Sequence, residues 1–242
     1  MTTSPAPIPH RHASHRLVLV GVILLAFAAA TVGIVLAARH TGTATTSSSG
    51  VKGSGVPATQ VRTLPAFTAV DLAGSNNVTV HVGDTQTVTV HGDDNLIGYV
   101  TTTVQDGTLA VGQNHSFSTK SPMSVDVTVP ALDAATLSGS GVVTVTGVAA
   151  DHFTVRAPGS GVLVVTGTAT TLDATLSGTG DVRLDGLAAH DATATVSGTG
   201  RLLVNASHSL DATVSGVGSI VYSGSPADVT KNVTGTGSIT GS

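Results

Sequence analysis

The 242-residue chain contains no Cys, no Trp and no Glu. Without Cys there are no disulfides, no thiolate metal ligands, no Cys nucleophile and no lipid-modified cysteine anchor. Without Glu, and with only 10 Lys and Arg, there is little of the polar material that builds helices. Aromatic residues are 2% of the chain, too few for the stacking platform that sugar sites usually present. Charge is sparse and one-sided. From residue 65 onward, Lys120, Arg156, Arg183, Arg201 and Lys231 face 14 Asp, a net charge of −9. An acidic body without a basic cluster has nothing to neutralise phosphates, which excludes nucleic acid as a partner. What remains is rich in Gly, Val and Thr, the residues of turns and short strands. The expectation is an all-β body.

The stretch before Pro65 differs from the rest. Residues 1–16 are polar, with His10, His12, His15, Arg11 and Arg16, and read as a disordered cytoplasmic tail. The three His suggest metal ligands, but a solvated tail holds no coordination geometry. Leu17–Ala38 carries no charged residue along its whole length. As a helix it spans about 33 Å, enough to cross a bilayer. It exceeds the usual hydrophobic region of a cleaved signal peptide, which favours an uncleaved single-pass anchor. Arg11 and Arg16 before it outnumber Arg39 after it, so the N-terminus is expected inside and the body outside. Residues 39–64 are mostly Ser, Thr and Gly, and read as a flexible linker.

Residues 65–136 are expected to be β-structure without a strict repeat. Val78-Thr79-Val80-His81-Val82 and Val88-Thr89-Val90-His91 both alternate. Paired as a hairpin, face-matching sets Val82 opposite Val88 and Val80 opposite Val90, with Asp84–Gln86 as the loop. His81 and His91 then point outward.

Residues 137–242 carry a ladder. Its rungs are Ser138-Gly139-Ser140-Gly141, Pro158-Gly159-Ser160-Gly161, Ser177-Gly178-Thr179-Gly180, Ser197-Gly198-Thr199-Gly200, Ser215-Gly216-Val217-Gly218 and Thr234-Gly235-Thr236-Gly237. They recur with a nearly fixed period of roughly 19 residues, the mark of a stacked repeat. Two residues after each second Gly stand Val143, Leu163, Val182, Leu202, Ile220 and Ile239; two before each first Gly stand Leu137, Ala157, Leu176, Val196, Val214 and Val233. These are inward columns with period-2 alternation. Each unit reads strand, Gly-x-Gly bend, strand, bend. No unit buries its inner face alone, so stacking at about 4.8 Å into a β-solenoid is required. Glycine at the bend supplies either positive φ or room for close backbone approach. Asp133, Asp151, Asp173, Asp191, Asp211 and Asp228 recur shortly before each first Gly and read as turn residues. Their distance to that Gly shifts between neighbouring units, mostly by two residues, which keeps the side chain on one face.

Three stretches carry a family resemblance: Gly92-Asp93-Asp94-Asn95-Leu96-Ile97 followed by Gly107-Thr108-Leu109-Ala110-Val111; the Gly-x-Gly ladder; and Val221-Tyr222-Ser223-Gly224-Ser225-Pro226. Over about Phe67 to Ile239 the chain resembles the head GIN domain family of "putative auto-transporter adhesins". The resemblance implies a right-handed parallel β-helix at the cell surface and carries no catalytic residues. Ser242 closes the sequence without a membrane barrel, so export through the N-terminal span is expected instead of autotransport.

Candidate chemistry is thin. Asp181 and Asp185 flank Arg183 on one outward strand face, and paired carboxylates suit glycoside hydrolysis. A solvated face holding an ion pair explains them better, because nothing in the pattern desolvates either acid. Only Gly178-Thr179-Gly180-Asp181 places Asp after Gly-x-Gly, so no calcium array is expected. His81 with His91 lacks a third ligand. No cofactor and no metal are expected, and the protein is read as non-enzymatic. The outward columns, with Asp181, Arg183 and Arg201 as their charged positions, are the expected contact face. Expected partners are the lipid bilayer through Leu17–Ala38, and cell-wall polymer, glycan, another surface protein or a second copy of the chain.

Overall fold

The computed structural model describes residues 50–242. The expected tail (1–16), the Leu17–Ala38 span and residues 39–49 lie outside the described residues. Among the described residues, no helix is long and apolar enough to cross a membrane.

The strands run β1 (Val51–Lys52), β2 (Pro57–Arg62), β3 (Ala69–Leu72), β4 (Asn77–Val82), β5 (Thr87–Asp93), β6 (Val100–Gln105), β7 (Thr108–Gln113), β8 (Phe117–Ser118), β9 (Ser124–Val129) and β10 (Ala134–Leu137). Then come β11 (Val142–Ala157), β12 (Val162–Leu176), β13 (Asp181–Val196), β14 (Arg201–Val214), β15 (Ser219–Gly224), β16 (Asp228–Val233) and β17 (Ser238–Gly241). A 3-10 turn, Ile97–Tyr99, is the single helical element among the described residues.

The regular half is a β-solenoid. β11 to β14 stack in parallel, each one coil of the ladder. Register pairs Val143 with Leu163, Leu163 with Val182, Val182 with Leu202, Leu202 with Ile220 and Ile220 with Ile239. Those side chains are buried until the last coil, where Ile239 is only partly covered. The second column behaves alike: Leu137 through Val214 are buried, and Val233 is 46% exposed, with no further coil against it among the described residues.

The Gly-x-Gly corners explain their own composition. Each corner hydrogen-bonds to the one below: Thr179 N donates to Gly159 O at 3.1 Å, and Thr199 N to Gly178 O at 3.1 Å. The accepting carbonyls lie where a side chain would go. A Cβ on Gly178 would meet Gly159 O at 1.9 Å, and one on Gly198 would meet Gly178 O at 1.9 Å. Close approach, and not positive φ, is therefore what these corners require. Positive φ belongs to the opposite bend, at Gly147 and Gly224.

The ladder has a further rung that the sequence spacing hides. β3 pairs in parallel with β10, and β4 with the start of β11, setting Asn77 beside Val142. The corner Gly74-Ser75-Asn76 thereby sits under Gly139-Ser140-Gly141, and Ser140 N donates to Gly74 O at 3.1 Å. Residues 83–133 are an excursion between two adjacent coils, and they build the N-terminal end of the solenoid.

Three expectations are corrected. The β4–β5 hairpin does not form. β9 lies between the two strands, parallel to β4 and antiparallel to β5, with Val127 opposite both Val80 and Val88. The inward valines were legible, but β9 alternates in the same way, and alternation does not name a neighbour. The linker over 39–64 is also too long. β2 pairs antiparallel with β5, β1 pairs with β8, and Arg62 donates to the carbonyls of Ile97 and Val100. Composition does not register backbone pairing of this kind. Lastly, Asp151, Asp173, Asp191 and Asp211 lie within strands and Asp228 opens one. In β11 to β14 the second bend is rounded within one long strand, where the register between coils shifts but no separate turn breaks the strand.

Candidate functional site

Asp181, Arg183 and Arg201 lie at the starts of β13 and β14. Arg183 donates from Nε to Asp181 Oδ2 at 2.8 Å, with its Nη2 at 2.6 Å from the same oxygen. Arg201 is the register neighbour of Asp181 on the next coil. Its exposed side chain lines a shallow hollow with Asp185, Leu203 and Val221. Asp181 Oδ2 is taken by the ion pair, and among the described residues its Oδ1 is covered without a hydrogen-bond partner. His81 and His91 do not converge. His81 contacts Thr146 Oγ1 at 3.2 Å, while His91 pairs with Asp126 at 3.0 Å on another strand.

The strongest convergence of polar groups lies elsewhere, at His190, Asp191 and His208. β13 and β14 lose register between Ala189 and Asp191: Ala189 pairs with Ala206, and Asp191 with Ser209. β14 therefore carries one residue more across this stretch, a β-bulge. Ser207 Oγ donates to Ala189 O at 3.1 Å within it. The bulge brings His208 to the side of Asp191. His190 Nδ1 lies 2.9 Å from Asp191 Oδ2 and His208 Nδ1 lies 2.8 Å from Oδ1. Ser209 Oγ donates to Oδ1 at 2.5 Å. The two imidazoles stack, with centroids 4.5 Å apart and planes 17° from parallel. Hydrogen bonds from Ser209, His190 and His208, in that order of effect, hold the Asp191 carboxyl far below the usual carboxylate range.

This cluster edges a shallow groove of about 400 Å³ lined by His152, Asp173, Asp191, Asp211 and Asp228 together with Ser and Thr, and without Lys or Arg. The acids are staggered. Asp173 pairs with Thr154 and Thr193, Asp211 with Thr193 and Thr230, and Asp191 with Thr171 and Ser209. No Asp stacks on an Asp in these ladders, so like charges at one-rung spacing are avoided. Sequence reasoning caught the two-residue stagger but missed the His–Asp–His cluster. Its visible signal was His190-Asp191 followed by His208-Ser209 at close to one coil length.

A second polar knot has a structural role. Asp93 is fully buried. Its carboxylate accepts from Lys120 N at 2.8 Å, Ser121 Oγ at 2.8 Å and Gly55 N at 2.9 Å. Asp94 accepts from Ser54 Oγ at 2.5 Å, and Asn95 clasps Ser54 N and Lys52 O, each at 2.9 Å. The Asp-Asp-Asn stretch thus ties the 52–55 segment and the 120–121 loop to the body.

The sequence model described as "Putative auto-transporter adhesin, head GIN domain" matches residues 66–226. The chain belongs to this family. Solved structures resemble the GIN head in fold. A putative adhesin from Bacteroides fragilis is 24% identical with a TM-score of 0.67, covering 80% of this chain and 100% of that one. A putative lipid binding protein from Parabacteroides distasonis is 21% identical with a TM-score of 0.52, covering 79% and 99%. A putative adhesin from Parabacteroides merdae is 20% identical with a TM-score of 0.50, covering 79% and 98%. At these identities the likeness is one of fold. No curated protein matches the chain. Within the GIN head, the clasp accounts for Asp93-Asp94-Asn95. The closing Tyr222-Ser223-Gly224 accommodates a bend: Gly224 has φ +90°, and a Cβ there would meet Ala206 O at 2.0 Å.

Proposed function

We propose that this GIN head works outside a cell membrane as a non-enzymatic adhesion or envelope-contact module, tethered through Leu17–Ala38. The observation that carries the reading is the outward face of β11–β14 and β16. There the rows His152, Thr171, Asp191, Ser209, Asp228 and Thr154, Asp173, Thr193, Asp211, Thr230 repeat at one-rung spacing. A shallow, open, periodic polar face suits many weak, identical contacts with a repeating polymer, which sum through multivalency. It does not suit an enzyme, which needs a concave site that sheds water. The Bacteroides fragilis and Parabacteroides merdae neighbours are themselves described as putative adhesins. The test is a binding screen of the body from Ser47 against cell-wall polymers and glycans, with membrane fractionation of the full chain. Polymer binding that weakens when Thr171 and Thr193 are changed to Asp supports the reading. A full chain recovered in the soluble fraction would overturn the tether, and absence of binding across the screen would overturn the contact role.

A second reading is a self-associating scaffold. Among the described residues, β16 pairs only with β14, and β17 only with β15. Their free edges, with Val229 and Val233 exposed, template pairing with another strand edge. Sedimentation across a wide concentration range decides it: a monomer throughout removes the scaffold.

A further inference from the structure

We propose that His190, Asp191 and His208 bind one divalent transition-metal ion of the zinc class on the outer face of the solenoid. The proposal goes beyond the contact role and stands without it.

The ligand atoms already converge. One atom from each of the three residues lies within 4.8 Å of the others, and both Nδ1 atoms address the same carboxylate at 2.9 and 2.8 Å. Zinc takes imidazole nitrogen and carboxylate oxygen at about 2.0–2.2 Å, so ligand atoms around it stand about 3–4 Å apart. The contraction needed is small, and rotation of the stacked, solvent-exposed rings supplies it. Binding exchanges the two N–H···O hydrogen bonds for two nitrogen–metal bonds at the same Nδ1 atoms. Each neutral ring then carries its proton on Nε2, and Asp191 stays an anion throughout.

The local build favours a cation. Ser209 orients the Asp191 carboxylate through Oδ1. The adjoining groove adds Asp173, Asp211 and Asp228 and no Lys or Arg, which raises the local concentration of cations. The bulge at Ser207 occurs at this rung and is what delivers His208. Two rungs away, on β11, His152 meets Asp173 at 3.6 Å, together with Thr171 and Thr154. It has no second imidazole and serves as an internal control. Two imidazoles and one carboxylate select Zn²⁺, Ni²⁺ or Cu²⁺ over Mg²⁺ and Ca²⁺, which prefer all-oxygen sites. Three protein ligands leave the outer coordination position to water.

The experiment uses a tag-free protein starting at Ser47, so that His10, His12 and His15 add no background of weak, unorganised metal contacts. Ser47–Ser242 is one compact unit by its internal contacts. Chelator-stripped protein is titrated with Zn²⁺ by calorimetry near neutral pH, and with Co²⁺ by visible absorption. The expected result is one saturable site per chain, with no such site for Mg²⁺. Asp191→Asn and His208→Ala should each weaken it about tenfold or more; His152→Ala should leave it unchanged. His190→Gln is a third variant, and the melting temperature of each metal-free protein verifies its fold. Absence of saturable Zn²⁺ binding, or equal affinity in wild type, Asp191→Asn and His208→Ala, would overturn the proposal.

Discussion

Single residues decide whether the coils can approach. At the Gly-x-Gly corner, the glycine hydrogen occupies the space against the carbonyl one rung below. Gly178→Ala pushes a methyl group into Gly159 O, which is itself engaged by Thr179 N. Backbone on both sides must shift, and the expected cost is about 3 kcal/mol. Gly98, with nothing within 4 Å of its would-be Cβ, should tolerate Ala within about 0.5 kcal/mol. Urea unfolding of the two variants compares them directly. Asp93 makes a different prediction. Chiefly the Lys120 backbone N–H, and then Ser121 and Gly55, hold its carboxyl below the ordinary value of 3.8, against the opposing effect of burial. A depressed folded-state value means the charged form contributes stability above the unfolded value, which is lost as pH falls through the folded one. The melting temperature of Asp93→Asn should therefore lie below wild type near neutral pH, and the gap should narrow as pH drops below about 4. A gap constant with pH would remove the charged carboxylate from the account. Limited proteolysis should also cut the Asp93→Asn protein first within residues 50–62.

At the scale of elements, each strand is stabilised by the coil on either side. The first inward column tests this, because the same environment repeats with different cover. Leu202 on β14 is fully buried between neighbours, and Ile239 on β17 has a neighbour on one side only. Leu202→Ala should cost about 2–5 kcal/mol, the usual penalty of a core cavity. Ile239→Ala should cost about 1 kcal/mol, since part of that surface is already wet. Chemical denaturation of the two proteins reads the difference. The inward columns were legible because period-2 alternation reports which face is buried. The partners of β4, β5 and β9 were not, because three alternating valine strands fit side by side in more than one order. The β1–β2 arm was illegible for a related reason. Its Ser, Gly and Thr composition is that of a linker, and its order comes from β5, β8 and the Asp93 clasp.

At the scale of the whole body, one continuous core runs along the stacked coils, and its two ends differ. β2, β5 and β6 bring antiparallel pairing to the first end, whereas β16 and β17 leave theirs uncovered. In a stacked repeat each unit depends on its nearest neighbours. A chain ended after Pro226, where the family match also closes, should keep a cooperative unfolding transition and melt only a few degrees lower. Removing residues 50–62 should do more damage, because it uncovers β5 and leaves the Asp93 carboxylate short of a partner. Circular dichroism melts of both truncations rank the two effects. The proposed metal ligands on β13 and β14 are one coil apart in sequence, and they meet through the rise between coils.

The sequence by itself determined the solenoid, the length of its coil and the faces of its strands. The Gly-x-Gly spacing and the alternating valines are local patterns, and stacking repeats them without alteration. The sequence also pointed to the family, through short stretches that proved to be corners and a clasp. Tertiary structure alone decided the rest. It set the Gly74-Ser75-Asn76 rung beneath Gly139 across a long gap in sequence, slid β9 between β4 and β5, and drew residues 50–62 into the body. It also delivered His208 to Asp191 through one extra residue in β14. Each of these depends on which backbone hydrogen-bonds to which. Periodicity records a buried face, but it does not name the strand lying beside it.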